Sequence, residues 1–114
     1  MTEPKWTPGP WHASQTYPPG DWCIHARGIP WQLAYLRGHS EIDWPLEANA
    51  RLIAAAPELY AGLVELLDET EAGLIASASS RSGRDDDDFR EEFPDDYERC
   101  KRLRAVLAKA RGEP

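Results

Sequence analysis

The chain has 114 residues, a formal charge of -7 and 41% hydrophobic residues. These values suit one small acidic domain over 1–114 and exclude the basic surface that bulk nucleic-acid binding requires, so direct contact with nucleic acid is not expected. No apolar run approaches the roughly 20 residues of a membrane span, and the proline-rich start has no signal-peptide block; the expected setting is cytoplasmic, without a membrane partner.

Residues 1–10 read as a flexible lead-in that ends in the turn Thr7-Pro8-Gly9-Pro10-Trp11, where the prolines fix φ and Gly9 supplies freedom between them. Trp11 to Thr16 predicts a first strand, closed by Tyr17-Pro18-Pro19-Gly20. From Asp21 to Arg27 the chain alternates, with Trp22 and Ile24 on one side and Cys23 and His25 on the other, which is a strand period. After Gly28 the run Ile29 to Leu36 predicts a third strand, with Pro30 at its start or on an edge because it cannot donate to a ladder. Residues 11–39 therefore predict an antiparallel meander.

Leu46 to Leu67 is rich in alanine and leucine, both strong helix formers. Pro57 cannot sit inside a helix but suits the first turn of a new one, so residues 43–80 predict two helices with a corner at Pro57. Asp43 is the expected cap. The first helix should bury Leu46, Ala50, Ile53 and Ala54. The second should bury Leu59, Leu63, Leu66, Leu67 and Leu74, flanked by Tyr60 and Val64.

The polar stretch Ser77 to Arg84 reads as a linker, and 81–94 as an acidic mobile loop. A last helix over 95–111 follows from the stripe Tyr97, Cys100, Leu103, Leu107 and Ala110, with acidic residues first and basic ones last, as the helix dipole favours. The whole is an α+β class: a short three-stranded antiparallel meander packed on helices, with a C-terminal helical hairpin.

Thr7-Pro8-Gly9-Pro10-Trp11 and Glu47-Ala48-Asn49-Ala50-Arg51-Leu52-Ile53-Ala54-Ala55-Ala56-Pro57-Glu58-Leu59 give the chain a family resemblance. It resembles small bacteriophage and prophage accessory proteins, and is similar to the Ead-like early phage proteins. The resemblance reaches to about Leu67 and carries no catalytic residues. It implies work inside a bacterial host cell.

Candidate chemistry is sparse. Cys23 and His25, with His12 and His39, hold the donor atoms of a zinc site, but Cys-x-His alone lacks the paired knuckles such sites use. Ordinary strand residues are the simpler reading, and no metal or cofactor is assigned. Cys23 or Cys100 beside a histidine would suit a thiol enzyme, yet Cys100 lies on an apolar stripe, the usual place of an inert cysteine. Both thiols are expected to be reduced. The tryptophans could stack on bases or sugars, although a small sheet needs them for its core.

The acidic block is the most distinctive feature: Asp85, Asp86, Asp87, Asp88, Phe89, Glu91, Glu92, Phe93, Asp95, Asp96 and Tyr97. A solvated, self-repelling loop is its bland interpretation. Against that, Phe89, Phe93 and Tyr97 recur at four-residue spacing, so a helical segment would carry an aromatic stripe bordered by carboxylates. Such a segment can dock on a basic groove and displace nucleic acid from it. The expected function is non-enzymatic: binding of a host protein, by inhibition of a nucleic-acid-binding or defence factor. A small thiol- or metal-dependent enzyme and a virion component are the alternatives, and the C-terminal helices offer a route to a homo-oligomer.

Overall fold

The computed structural model describes residues 5–16, 20–38, 45–82 and 89–113. Asp43, Trp44, Tyr17, His39 and Asp85 to Asp88 lie outside them, and with them the expected cap and the acidic run. The elements are β1 (Trp11–Gln15), β2 (Trp22–Ala26), β3 (Ala34–Leu36), α1 (Leu46–Ala54), α2 (Ala56–Ser82) and α3 (Pro94–Ala110). This is the α+β class expected from the sequence. The chain divides into two compact units, one of Lys5–Tyr60 and one that includes Ala61–Pro114.

In the first unit the strands pair antiparallel in the order β1-β2-β3. The register sets Ala13 and Ala34 on either side of Ile24, and Ser14 and Tyr35 on either side of Cys23. Alternation along β2 therefore sorts two faces. One face carries Ile24 and Ala26 and is covered by α1, which packs across β1 and β2. Ile24 and Ala50 are fully buried, and the Arg51 guanidinium stands 5.6 Å from the centre of the Trp22 ring.

The third strand is shorter than the alternation predicts, covering Ala34–Leu36 rather than residues 29–36. Pro30 has no amide hydrogen for a ladder, and Ile29 instead closes the turn after β2 by donating to the Ala26 carbonyl at 3.2 Å. Gly28 adopts φ 82° in that turn, a region that side chains disfavour. Pairing resumes where Leu33 donates to Ile24 at 2.8 Å. Trp31 falls in the unpaired stretch and is 70% exposed, which removes it from the expected core.

The corner at Pro57 forms as predicted. Ala55 ends α1 by donating to the Arg51 carbonyl at 3.0 Å, and its own carbonyl accepts from Leu59 at 2.9 Å, inside α2. The missing proline amide thus falls in a first turn, where no partner is needed. The segment read as a flexible lead-in packs against this corner from Trp6 onward. Trp6 meets Tyr60 edge-on at 4.6 Å, and Gly9 lies so close to Pro57 that a Cβ there would stand 3.0 Å from the proline Cβ.

In the second unit, α2 and α3 pair as an antiparallel hairpin. The Arg104 Nη2 donates to Asp68 at 2.7 Å and its Nε to Glu71 at 2.9 Å. Leu67, Ala78, Phe89, Cys100 and Leu107 are buried. The small residues after Ile75 continue α2 to Ser82 rather than starting a linker at Ser77. Ala78 is buried within that turn, so a helix side is needed there.

The expected buried stripes need correction in phase. Ile53, Leu59 and Leu66 are exposed, and so is Ala110. The sheltered row on α2 is Leu63, Val64, Leu67, Glu71, Leu74, Ile75 and Ala78. Its spacing is helical, but the Leu59 to Leu67 run holds more leucines than one face can use.

Candidate functional site

Two places gather residues with chemistry, one in each unit. In the Lys5–Tyr60 unit it is the sheet face opposite α1. Strand register brings His12, Ser14, Cys23, His25 and Tyr35 onto that face. Cys23 Sγ lies 3.1 Å from His25 Nε2 and 3.5 Å from Ser14 Oγ. The expectation that Cys23 and His25 share a face is met, and their side chains touch. Ser14 was not legible as a neighbour, because only the β1-β2 register places it there. The thiol is 4% exposed, so Ser14, His25 and Tyr35 shelter it on a face otherwise open to solvent. Among the described residues no group of three or more His, Cys, Asp and Glu side chains is placed to hold a metal ion.

At the end of this face Tyr35 donates to Asp21 Oδ2 at 2.5 Å, and the Gly38 amide donates to Oδ1 at 2.7 Å. Both bonds favour the carboxylate, first the phenol and then the amide, and hold Asp21 below its ordinary pKa. The same bond to Asp21 pushes the Tyr35 phenol up. Gly38 approaches so closely that a Cβ would stand 2.7 Å from the Gly20 carbonyl oxygen. This clasp ties the end of β3 back to the start of β2, and it is structural.

The same unit brings the Pro-rich turn and the helix corner at Pro57 together. An open cleft of about 360 Å³ lies between Trp11, His12 and Ala13 on one side and Arg51, Ala54, Ala55 and Glu58 on the other. Trp11 is fixed there because its indole donates to the Thr7 carbonyl at 3.0 Å. Arg51 is engaged by Glu47 at 3.0 Å. The arrangement interlocks the Pro-rich turn with the helix corner, and packing accounts for it.

In the second unit the acidic-aromatic segment is described from Phe89 onward. Phe93 donates its amide to the Phe89 carbonyl at 2.9 Å, and Tyr97 donates to Phe93 at 2.9 Å. These bonds link the three aromatic residues through a turn over 90–92, not a helix, and the helix begins only at Pro94, after the non-helical Phe93 (φ -132°, ψ 66°). Phe89 is 5% exposed and meets Tyr97 edge-on at 5.7 Å. Arg90 stands 5.0 Å from the centre of the Tyr97 ring. The aromatic pair therefore turns inward and fastens the segment to the hairpin.

Glu91, Glu92 and Asp95 are exposed, and Phe93, Asp96 and Tyr97 are half-buried. Asp96 is 3.2 Å from Arg99. Beneath the segment a cleft of about 320 Å³ is lined by Ile75, Phe89, Tyr97, Cys100 and Lys101, with Glu71 and Arg104 at its edge. Burial, then the Glu71 and Asp96 charges, push the Cys100 thiol up. That disfavours a thiolate. Arg104 is held protonated, chiefly by its bond to Glu71.

No helix among the described residues is long and apolar enough to cross a membrane. No curated protein and no solved structure matches the chain significantly. One family model covers residues 1–114, including both the Pro-rich turn and the hairpin. The chain accordingly belongs to the family described as Salmonella phage P22 protein Y8K6, and is a phage protein.

Proposed function

We propose that this phage protein is a non-enzymatic accessory factor that binds a host protein through the carboxylates of the Phe89–Tyr97 segment. The observation that carries the reading is the buried Phe89, packed edge-on against Tyr97. With the aromatic pair fastened inside, Glu91, Glu92 and Asp95 stand on a fixed turn and first helical turn. Carboxylates held this way lose less freedom on binding than a mobile loop would. They offer charge for steering toward a basic surface, and half-buried Phe93 offers a small apolar contact beside them. A basic groove on a nucleic-acid-binding or defence factor is the complementary partner, and its occupation would displace the nucleic acid.

The test uses the full chain as bait in host lysate beside a Glu91→Gln, Glu92→Gln, Asp95→Asn variant of equal helicity. Wild type should retain a basic protein that elutes with rising salt, the variant should not, and adding the phage protein should release nucleic acid from the captured partner. Equal retention by both, or no retention by folded wild type, overturns the reading.

The 3.1 Å contact between Cys23 and His25 favours a second reading, thiol chemistry on the sheet face. It requires Cys23 to react with a small alkylating agent faster than Cys100, and His25→Gln to remove that advantage. Equal and slow reaction of both thiols would leave Cys23 a core residue.

A further inference from the structure

The strand β1 lies at an edge of the sheet, and the chain leaves its outer side open. Thr16 donates to the Asp21 carbonyl at 3.0 Å, so Thr16 turns its backbone toward the β2 side, and by alternation His12 and Ser14 do the same. Trp11, Ala13 and Gln15 then turn their amides and carbonyls outward. Ile24, the register partner of Ala13, agrees with this, because it accepts from Leu33 on the side of β3. Among the described residues no hydrogen bond reaches the outward backbone groups of Trp11, Ala13 and Gln15.

The edge is also unguarded. Edge strands are ordinarily protected by charge, proline or shortness. At the other edge β3 has three residues and runs straight into Arg37. By contrast β1 has five residues, and none of Trp11 to Gln15 is Asp, Glu, Lys, Arg or Pro. Backbone donors and acceptors that recur roughly every 7 Å along a line are matched by one kind of ligand, an extended peptide that adds to the sheet as a further strand.

The cleft of about 360 Å³ beside this edge sets what such a peptide carries. Ala13 lies on the α1 side of the sheet with Ile24. A residue paired with Ala13 shares that side and points between Trp11, Ala54 and Ala55, where the small alanines leave room for a branched aliphatic side chain. The ends of the cleft differ in charge. Arg51 marks the Gln15 end, because it stands over Trp22, the register partner of Gln15, and Glu47 already answers its charge. Glu58 marks the Trp11 end, because it follows Pro57, against which Gly9 packs. In the first turn of α2 Glu58 suits the helix dipole, yet it is exposed and makes no ion pair among the described residues. A Lys or Arg opposite Trp11 would meet it. A second copy of β1 fits less well: self-pairing centred on Ala13 sets Trp11 against Gln15 and brings no cation to Glu58, and two chains of charge -7 repel.

We propose that the outer edge of β1 is a strand-addition site for an extended segment of another protein, which pairs antiparallel and carries an aliphatic residue opposite Ala13 and a Lys or Arg opposite Trp11. The site belongs to the Lys5–Tyr60 unit and does not rest on the host-binding reading of the Phe89–Tyr97 segment, so each can fail alone.

The test titrates a capped peptide, Thr-Val-Thr-Val-Thr-Lys-Thr, into the full chain at low salt while amide hydrogen exchange is followed. In the free protein Ser14, bonded within the ladder, should exchange slowly and Ala13 fast. The peptide should slow Ala13 and leave Ser14 as it was. N-methylation of the second valine, whose amide faces β1, should raise the dissociation constant by at least ~10-fold, whereas N-methylation of the threonine after it, whose amide faces away, should change it far less. Glutamate in place of the peptide lysine should weaken binding about 3-fold or more, and Glu58→Lys in the protein should reverse that preference. Failure of folded wild type to bind the peptide at millimolar concentration overturns the proposal, as does binding that leaves Ala13 unprotected or ignores the valine N-methyl group. Binding indifferent to charge at both the lysine and Glu58 overturns the basic partner. Protection of Ala13 without peptide, growing with protein concentration, would give the edge to a second copy and overturn the proposal in that way.

Discussion

The sheet-bearing unit and the helical hairpin solve the same problem, a small core in a short chain, by different means. The first uses a central strand covered by α1, and Ile24 and Ala50 are fully buried between them. The second lays two helices together and packs Phe89 against Tyr97 at the end where the two helices are connected. A strand fixes which side chains go inward by strict alternation, whereas a helix leaves its rotation to be settled by its partner. The consequence is that the sheet unit keeps chemistry on one polar face, and the hairpin leaves Leu66 and Val106 in solvent.

That contrast can be broken most sharply at the two core anchors. Phe89→Ala should cost about 3 kcal/mol or more and Ile24→Ala about 2–4 kcal/mol, as lost burial plus a cavity. Chemical denaturation with separate probes for strand and helix checks both. If the units melt independently, Phe89→Ala should lower only the helical transition. A single transition shifted by both variants would show the units to be coupled.

Gly9→Ala comes next. The new methyl would meet Pro57 at 3.0 Å, so the turn or the corner must shift, at about 1–2 kcal/mol. Thermal melting should show the loss, and an unchanged midpoint would mean that the turn and corner do not interlock. Exposed helix glycines behave oppositely: nothing lies within 4 Å of a Cβ at Gly73, so Gly73→Ala should stabilise the hairpin by about 1 kcal/mol.

The smallest effect is at the Asp21 clasp. Its folded pKa lies below the unfolded value, so its contribution is fully present above the unfolded pKa and is lost as pH falls through the folded one. For Tyr35 the folded pKa is raised, so that contribution is present below the unfolded phenol pKa and lost as pH rises through the folded one. Asp21→Asn should therefore flatten the acid limb of a stability curve without moving its neutral plateau far. An unaltered acid limb would show that the clasp does not matter.

Particular residues mark how far the sequence could be read. The split of Trp22 and Ile24 from Cys23 and His25 followed from alternation alone, and so did the corner, since proline permits few other places. Leu59 and Leu66 were misjudged because a leucine-rich run satisfies two helical phases, and the phase is decided by Arg104, whose partner Glu71 is distant in sequence. Ser14 beside Cys23 and Tyr35 beside Asp21 depend on register, which periodicity does not carry. The spacing of Phe89, Phe93 and Tyr97 was visible, but not that Phe89 points inward.

The central claim is that residues 89–97 are already built in the free protein and display Glu91, Glu92 and Asp95 from a fastened turn. Amide hydrogen exchange at Phe93 and Tyr97, whose N–H groups donate to Phe89 and Phe93, tests it most directly. The account predicts slowed exchange at both in wild type, and a return toward the unprotected rate in Phe89→Ala. Unprotected exchange at both amides in folded wild type would contradict it.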